Sequence, residues 1–293
     1  MSYFAVALLE ITLLGLLSGI AGTLIVLRRR SFFAVALSHA TFPGGVIFAL
    51  LGYHLLLGQA LFAVILVLLM TLLARVPGQG RQVASGIVLA LGFALGTLLA
   101  GLNPGLDVPV DALLVGSPLS VSMGDVSATA AVLVASLLIA VLTWRRVLFH
   151  TFDPAGFAAA GYRVWPIELL VTAVIAAAVV VAMPAVGAIL GVAILIAPAA
   201  AARVLVRRIE LIPPVAAALG VASGAAGLWA SRAFDLAAGG SIGLATTLVF
   251  VLAVLWQRLR GLRVKEGSRC RRRSATPGSE KRCGPASLKR QGL

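Results

Sequence analysis

Long stretches without a formal charge set the hydrophobic pattern of this chain. Positions 31–74 contain no Asp, Glu, Lys or Arg, and this run alone is long enough for two membrane-crossing helices of about 20 residues each. Further uncharged runs follow at 82–106, 126–144, 169–202, 211–231 and 236–257. Apolar residues fill these runs continuously instead of alternating with polar ones, so the pattern predicts membrane helices and not the strands of a membrane barrel.

The run 169–202 is long enough to cross a membrane twice, and Met183-Pro184 is the predicted hairpin between the two crossings. The fold class that follows is an all-α, polytopic membrane protein with eight or nine spans. In the nine-span interpretation the spans lie at 4–27, 34–53, 58–74, 82–101, 124–143, 166–182, 185–204, 211–231 and 239–257. The segment 103–123, rich in Gly, Pro and Ser, is too short and broken to span, and a loop or a re-entrant helix is expected there.

Composition and charge agree with this class. The chain is 60% hydrophobic and 12% charged, with a mean hydropathy of +1.06, whereas soluble domains contain about 25% charged residues. The net charge of +14 does not indicate nucleic-acid binding, because residues 258–293 carry 12 basic and 2 acidic side chains while residues 1–257 carry 12 and 8. We therefore predict a membrane domain at 1–257 and a disordered, basic cytoplasmic tail at 258–293 that lies near anionic lipid.

The distribution of basic residues predicts an orientation, because cytoplasmic connections are enriched in Lys and Arg. With the N-terminus outside and the C-terminus in the cytoplasm, Arg232 falls outside. The basic residues that fall inside, leaving aside the tail, are Arg28, Arg29, Arg30, Arg75, Arg81, Arg145, Arg146, Arg163, Arg203, Arg207 and Arg208. A multi-pass protein of the cell membrane in this orientation is the expectation.

Glycines one helical turn apart occur in several spans. Such spacing predicts close helix packing inside the chain or, alternatively, a seam between two copies of it. The pairs are Gly15 with Gly19, Gly92 with Gly96, Gly187 with Gly191, and Gly220 with Gly224.

One histidine, His39, lies inside the uncharged run 31–74. A membrane-embedded imidazole is a candidate metal ligand or proton-sensitive group, and a purely structural hydrogen bond is the alternative. One imidazole is too few ligands for a tight metal site, but a conducting site binds weakly and can add hydroxyl, carbonyl or water oxygens. Ser38 and Thr41 could supply such oxygens, while Pro43 and Gly44 are expected to kink the span and admit a close neighbour.

Other polar residues of the membrane domain are weaker candidates. Glu10, Asp125 and Glu168 are expected near span ends, where a side chain can reach water. His54 and His150 are expected to be surface histidines at the outer end of a span and in an inner loop.

The inner loop 145–163 contains the signals of a short helix. Asp153 suits the N-cap and Pro154 the first helical position, Ala158, Ala159 and Ala160 give a slim face, and Gly161 supplies a stop. A small rigid helix with a smooth surface is suited to docking in a soluble partner. An ordinary surface turn is the alternative.

Several segments together resemble the permeases of the metal-ion ABC importers, the zinc, manganese and iron group. The first is VLRRRSFF at 26–33, followed by ALSHATFPG at 36–44. Residues 151–161, TFDPAGFAAAG, resemble the cytoplasmic coupling segment of that family, and 186–203 its late-span consensus. The resemblance runs in order from about residue 4 to residue 257 and does not cover the tail.

The resemblance implies a type II ABC-importer-like permease for divalent Zn, Mn or Fe ions. It implies a homodimer that associates with two separate ATPase subunits and receives metal from an extracellular metal-binding protein. ATP would be hydrolysed by the partner, since this chain contains no G-x-x-x-x-G-K-[ST] sequence, and no cofactor would be permanently bound. His39 would ligate the ion transiently in a path with Ser38, Thr41, Pro43 and Gly44. The ATPase would couple through Asp153, Pro154, Ala159, Ala160 and Gly161.

At one position the chain departs from that family. Most members place a carboxylate one helical turn before the histidine, where this chain has Val35. The alternatives to a metal-ion permease are a permease for a larger chelate such as haem or a siderophore, a non-ABC channel or secondary transporter, and an intramembrane enzyme. A chelate path should be rich in aromatic residues, which make up only 6% of this chain, and no H-E-x-x-H sequence or pair of carboxylates indicates an enzyme.

Overall fold

The structure is a computed structural model that describes residues 3–74, 76, 80–103, 116 and 118–274. The described part of the chain is a helical bundle and contains no strand. We number its helices α1 (Tyr3–Leu27), α2 (Ser31–Leu50), α3 (Leu55–Leu73), α4 (Arg81–Leu102), α5 (Met123–Phe152), α6 (Pro154–Ala159), α7 (Val164–Ala188), α8 (Leu190–Leu205), α9 (Ile212–Phe234) and α10 (Ala238–Ser274).

Eight of these helices are long and apolar enough to cross a membrane, all except α6 and α8. The chain is therefore a multi-pass, all-α membrane protein, as the charge-free runs predicted. Helix α1 contains a π-helical turn at Ser18–Gly22, and α2 is interrupted at Thr41, between Ser31–Ala40 and Phe42–Leu50. The predicted seventh span at 185–204 corresponds to the shorter helix α8.

The turn between the two crossings of the run 169–202 was predicted at Met183-Pro184, and this prediction was wrong. Pro184 lies inside helix α7, and the helical path breaks at Gly187, which has φ 79° and ψ 171°. Glycine adopts this positive φ without steric cost, whereas a proline inside a membrane helix can be accommodated by its neighbours. The chain turns sharply here. A β-carbon on Gly191 would lie only 3.4 Å from that of Ala182, which shows how close the two helices are beside the turn. In a continuous helix these two residues would be about 13 Å apart along the axis.

Both ends of the α7–α8 pair meet the same part of the chain. Near the start of α7, Glu168 forms ion pairs with Arg28 and Arg30. Near the end of α8, Arg203 Nη1 donates to the carbonyl of Val26 at 3.2 Å. The segment therefore runs away from the Val26–Arg30 region and returns to it, which agrees with the prediction of two crossings.

The glycine pairs pack helices of this chain against each other. A β-carbon on Gly15 would lie 2.6 Å from the backbone nitrogen of Val221, and one on Gly19 would lie 2.6 Å from the carbonyl oxygen of Pro213. Helices α1 and α9 thus approach at backbone distance. Gly92 of α4 makes an equally close approach to Ala40 of α2. These contacts confirm the packing role expected of Gly15, Gly19 and Gly92.

The last helix extends beyond the boundary expected for the membrane domain. Helix α10 continues to Ser274, although the tail from 258 onward was expected to be disordered. A helix already formed in a span can add residues at little cost, and Arg, Lys and Leu favour the helical state. Residues 275–293 of the expected tail lie outside the described residues, as does most of the loop or re-entrant helix expected at 103–123.

Candidate functional site

The imidazole of His39 is oriented by its own helix. Its Nδ1 lies 3.1 Å from the carbonyl oxygen of Val35 and 3.0 Å from Ser38 Oγ, and that hydroxyl donates to the same carbonyl at 2.9 Å. A carbonyl can only accept, so the proton of the imidazole is assigned to Nδ1. The lone pair is therefore on Nε2. A histidine whose Nδ1–H is held by a carbonyl is arranged as metal-ligating histidines usually are.

The helix that carries His39 is interrupted just after it. Thr41 has φ −77° and ψ −9°, and its hydroxyl lies 3.1 Å from the carbonyl oxygen of Ser38 and 3.2 Å from Met183 Sδ in α7. Pro43 has no N–H, so it cannot donate to the carbonyl of His39 four residues earlier. The helix is therefore interrupted next to Pro43, where the kink was expected. The part these residues play in transport stays a prediction.

Gly44 admits a close neighbour, as expected. Its backbone packs against the carbonyl of Gly58 and the side chain of Phe62 in α3, and a β-carbon would overlap both. Gly44 and Gly58 therefore allow α2 and α3 to meet at backbone distance beside the interruption.

A conventional metal cluster does not surround His39 in the described residues. No three His, Cys, Asp or Glu side chains lie together there in a way that could hold a metal ion. Val35, at the position where the family resemblance implies a carboxylate, packs its side chain against the hydrophobic core and contributes only its carbonyl. With one imidazole and only hydroxyl and carbonyl oxygens, any metal binding at this place would be weak.

Glu10 does not reach water, contrary to the expectation for a residue near a span end. Its side chain is fully buried, and Oε1 accepts a hydrogen bond of 2.7 Å from Thr129 Oγ1 in α5. Its Oε2 has no hydrogen-bond partner within the described structure. Packing of α5 against α1 closes the route to solvent that a position near the start of α1 would otherwise provide. Asp125, by contrast, lies at a helix start as expected, where it forms a capping box with Ser122.

The short helix in the inner loop has the expected start and stop. Asp153 Oδ1 accepts from the backbone N–H of Gly156 at 2.8 Å, and Pro154 is the first residue of α6. Gly161 has φ 81°. Its N–H donates to the carbonyl of Ala158 at 3.0 Å, and the N–H of Tyr162 donates to that of Phe157 at 3.3 Å. This pair of bonds is a Schellman motif, which requires a left-handed residue at Gly161.

Helix α6 presents small residues outward and is held by one large one. Pro154, Ala158, Ala159 and Ala160 are exposed, whereas Phe157 is only 1% exposed. The ring of Phe157 packs edge-on against Phe149 and His150 of α5, at centroid distances of 5.5 and 5.3 Å. Phe157 was not among the residues predicted from the sequence. Its signal was a single large apolar residue among alanines and glycines.

A group of partly buried charges packs against the end of α5 that holds α6. Arg28 donates to Thr151 Oγ1 at 3.1 Å, to Glu168 Oε1 at 3.1 Å and to His150 Nδ1 at 2.9 Å, and Arg30 pairs with the other carboxylate oxygen of Glu168. His150 is therefore buried, and the expectation of a surface histidine was wrong because Phe157 and Arg28 cover it. This group was not predicted from the sequence, although charges beside such apolar spans usually require partners.

Comparison with known proteins agrees with the motifs. The model of the ABC 3 transport family matches residues 1–257. The chain is 34% identical over 277 residues to the manganese transport system membrane protein MntC of Halalkalibacterium halodurans, which covers 94% of this chain and 95% of that protein. It is also 34% identical to the zinc transport system membrane protein TroC of Treponema pallidum, over 85% of this chain and 87% of that protein.

A solved structure extends the similarity to the fold. PsaBC from Streptococcus pneumoniae, in complex with Fab, matches with a TM-score of 0.78 and 28% identity, covering 86% of this chain and 91% of that one. Sequence and structural similarity thus both extend over most of the chain, which belongs to the ABC 3 transport family.

Proposed function

We propose that this chain is the membrane-spanning permease of an ATP-driven importer of divalent transition-metal ions, with Mn²⁺ and Zn²⁺ as the first candidates and Fe²⁺ as the third. The observation that carries the proposal is the family match over 1–257, together with relatives named for manganese and zinc transport. The metal ion is the cargo of the protein, and no permanently bound cofactor is needed for this function.

The ion path is proposed to pass His39. Nε2 carries the available lone pair, and Thr41 and the carbonyl of His39 are the proposed further oxygens at the interruption of α2. The hydroxyl of Ser38 lies at Nδ1, so its proposed part in the path is to orient the imidazole. Imidazole suits Zn²⁺ and Fe²⁺, whereas carbonyl and water oxygens suit Mn²⁺ and add weak ligands. A site of this kind releases its ion easily, as conduction requires. Pro43 keeps α2 interrupted at this level, and Gly44 lets α2 lie next to α3.

Energy is proposed to come from separate ATPase subunits that dock on α6. The exposed, small side chains of Pro154, Ala159 and Ala160 give a smooth surface, and Asp153 and Gly161 fix its two ends. The sequence contains no P-loop, so the chain itself would not hydrolyse ATP. A homodimer of this chain and an extracellular metal-binding protein complete the proposed assembly.

The proposed orientation in the cell membrane has the N-terminus outside and the C-terminus in the cytoplasm. The contacts support it, because Arg28, Arg203 and the start of α7 lie at one end of the bundle, which is rich in basic residues. At the other end, Arg232 lies over the ring of Phe4, 4.9 Å from its centroid. The excess of basic residues on one side is the arrangement that the positive-inside rule associates with the cytoplasm.

Reconstitution tests the proposal. The permease is co-expressed with candidate ATPases, purified as a complex and placed in liposomes, and uptake of Mn²⁺, Zn²⁺ and Fe²⁺ is measured by metal-resolved mass spectrometry with and without ATP. ATP-dependent uptake of at least one free ion supports the proposal. Uptake without any ATPase would favour a channel or secondary transporter, and uptake of haem or a siderophore complex alone would favour a chelate permease.

A further inference from the structure

We infer that Arg28, with Glu168, is a positioning residue that links the movement of α6 to the helix carrying His39. The inference rests on the proposed function, in which α6 docks the ATPase and α2 lines the ion path. The partly buried charges join four helices at one end of the bundle. These are α1, α5, α7 and, through the turn before it, α2.

The first step of the link joins α6 to α5. Phe157 is the only residue of α6 that is buried, so it is the main attachment of α6 to the bundle. Its ring meets the rings of Phe149 and His150. A force applied to the exposed face of α6 is therefore delivered to the C-terminal end of α5.

The second step joins α5 to Arg28. A guanidinium can only donate, so His150 Nδ1 accepts from Arg28 Nη2, and the imidazole proton is assigned to Nε2. The Nε of Arg28 donates to Thr151 in the next position of α5, and Nη1 donates to Glu168 in α7. The side chain of Arg28 is 5% exposed. All three nitrogens of the planar guanidinium thus donate to side chains of α5 and α7. The single ammonium of lysine cannot reproduce this arrangement.

The third step joins Arg28 to α2. Arg28, Arg29 and Arg30 form the turn between α1 and α2, and Arg29 has φ 54°, a conformation that residues other than glycine rarely adopt. Glu168 holds both neighbours of Arg29, and Arg30 Nη1 also donates to Thr172 at 2.6 Å. The side-chain contacts on both sides maintain this backbone conformation.

The last step is the length of helix between the turn and His39. Helix α2 begins at Ser31, directly after the turn, and His39 lies eight residues further, about 12 Å along the axis. The segment Ser31–Ala40 is uninterrupted, so a shift of the turn moves His39 as part of one rigid piece. The interruption at Thr41 then separates this piece from the rest of the span.

The test uses the reconstituted complex of permease and ATPase and measures metal ions imported per ATP hydrolysed. Arg28→Lys keeps the positive charge but removes the planar guanidinium with its several donors. Glu168→Gln keeps the shape of the side chain but removes its negative charge. We expect both variants to assemble with the ATPase and hydrolyse ATP, while ions imported per ATP fall roughly 2- to 30-fold, the range of coupling effects for residues between two sites. Arg232→Lys, at the opposite end of the bundle, is the matched control and should leave the ratio unchanged.

A merely structural role gives a different result. It lowers the yield or melting temperature of the complex and leaves ions per ATP in the folded fraction unchanged, and this outcome overturns the inference. Phe157→Leu combined with Arg28→Lys gives a second readout, because two residues of one link should not have independent effects. A ratio in the double variant equal to the product of the two single effects would also overturn it. Failure of the wild-type complex to import any metal with ATP counts instead against the proposed function.

Discussion

The ring of Tyr162 stacks on the ring of Phe157, with centroids 5.0 Å apart and planes inclined by 25°. The two residues occupy the positions on either side of a Schellman motif where a hydrophobic contact commonly forms. Phe157 faces the bundle and Tyr162 is exposed, so the stack covers the outer face of the one residue that holds α6. The end of α6 is therefore fixed by backbone geometry at Gly161 and by ring packing together.

Gly161→Leu should disrupt this end. The space around Gly161 is open, so the difficulty is its φ of 81°, which costs a residue with a β-carbon about 1 kcal/mol or more. We expect less ATPase to co-purify with the permease, and uptake to fall relative to ATP hydrolysis, while the melting temperature of the spans changes little. Ala160→Leu serves as the companion variant, since it enlarges the exposed face without backbone strain. Normal assembly and uptake in both variants would exclude docking on α6.

His39→Ala should abolish most transport. Loss of the ligating nitrogen should lower uptake by at least about tenfold, because removing even an outer partner of a metal ligand has effects of this size. Uptake is normalised to purified complex, and the exposed His54→Ala provides the control. If His39 is structural, the variant loses folded yield but keeps normal uptake per complex.

Val35→Asp should change which metal is preferred. It places a carboxylate one turn before His39 on the same face of α2. Carboxylate oxygen suits Mn²⁺ better than it suits softer ions, so the ratio of Mn²⁺ to Zn²⁺ uptake should rise in competition assays. An unchanged ratio would indicate that position 35 does not face the path.

Glu10→Gln and Glu10→Ala should differ in stability. The amide keeps the acceptor for Thr129 and nearly the same volume, so Glu10→Gln should melt close to the wild type. Glu10→Ala leaves a void and removes the partner of a buried hydroxyl, which should cost about 1–3 kcal/mol. Thermal unfolding of the purified protein compares the two. Equal destabilisation by both variants would mean that the negative charge, and not the hydrogen bond, is needed.

Gly44→Ala should weaken the contact between α2 and α3. A β-carbon at this position overlaps the carbonyl of Gly58, and overpacking of this kind costs about 1–3 kcal/mol. Gly240→Ala is the matched control, because a β-carbon on that helical glycine meets nothing within 4 Å. The expected result is a lower melting temperature for Gly44→Ala and an unchanged or higher one for Gly240→Ala.

The spans and the ends of α6 could be predicted because their causes are local. A long run without charges is enough to define a span, and Asp153, Pro154 and Gly161 act on residues within one turn of themselves. Each of these signals is complete in a short window of sequence. The same applies to Pro43, which weakens the helix around it wherever the rest of the chain lies.

The turn at Gly187 and the buried state of Glu10 and His150 have causes that are distant in sequence. Gly116 packs against Gly187, Thr129 is 119 positions from Glu10, and Arg28 is 122 positions from His150. A proline marks a break in general, but the chain turns three residues after Pro184, at a glycine against which a distant segment packs. One sequence does not reveal which polar residues will meet across helices.

The short length of α8 has a consequence for the depth at which the chain turns. Sixteen residues of helix rise about 24 Å, less than the roughly 30 Å of a bilayer's hydrocarbon core. In the proposed orientation, Arg203 would lie at the cytoplasmic interface and the turn at Gly187 would lie several ångströms short of the outer one. A depression of this kind on the outer side would shorten the dry part of the route that an ion has to cross.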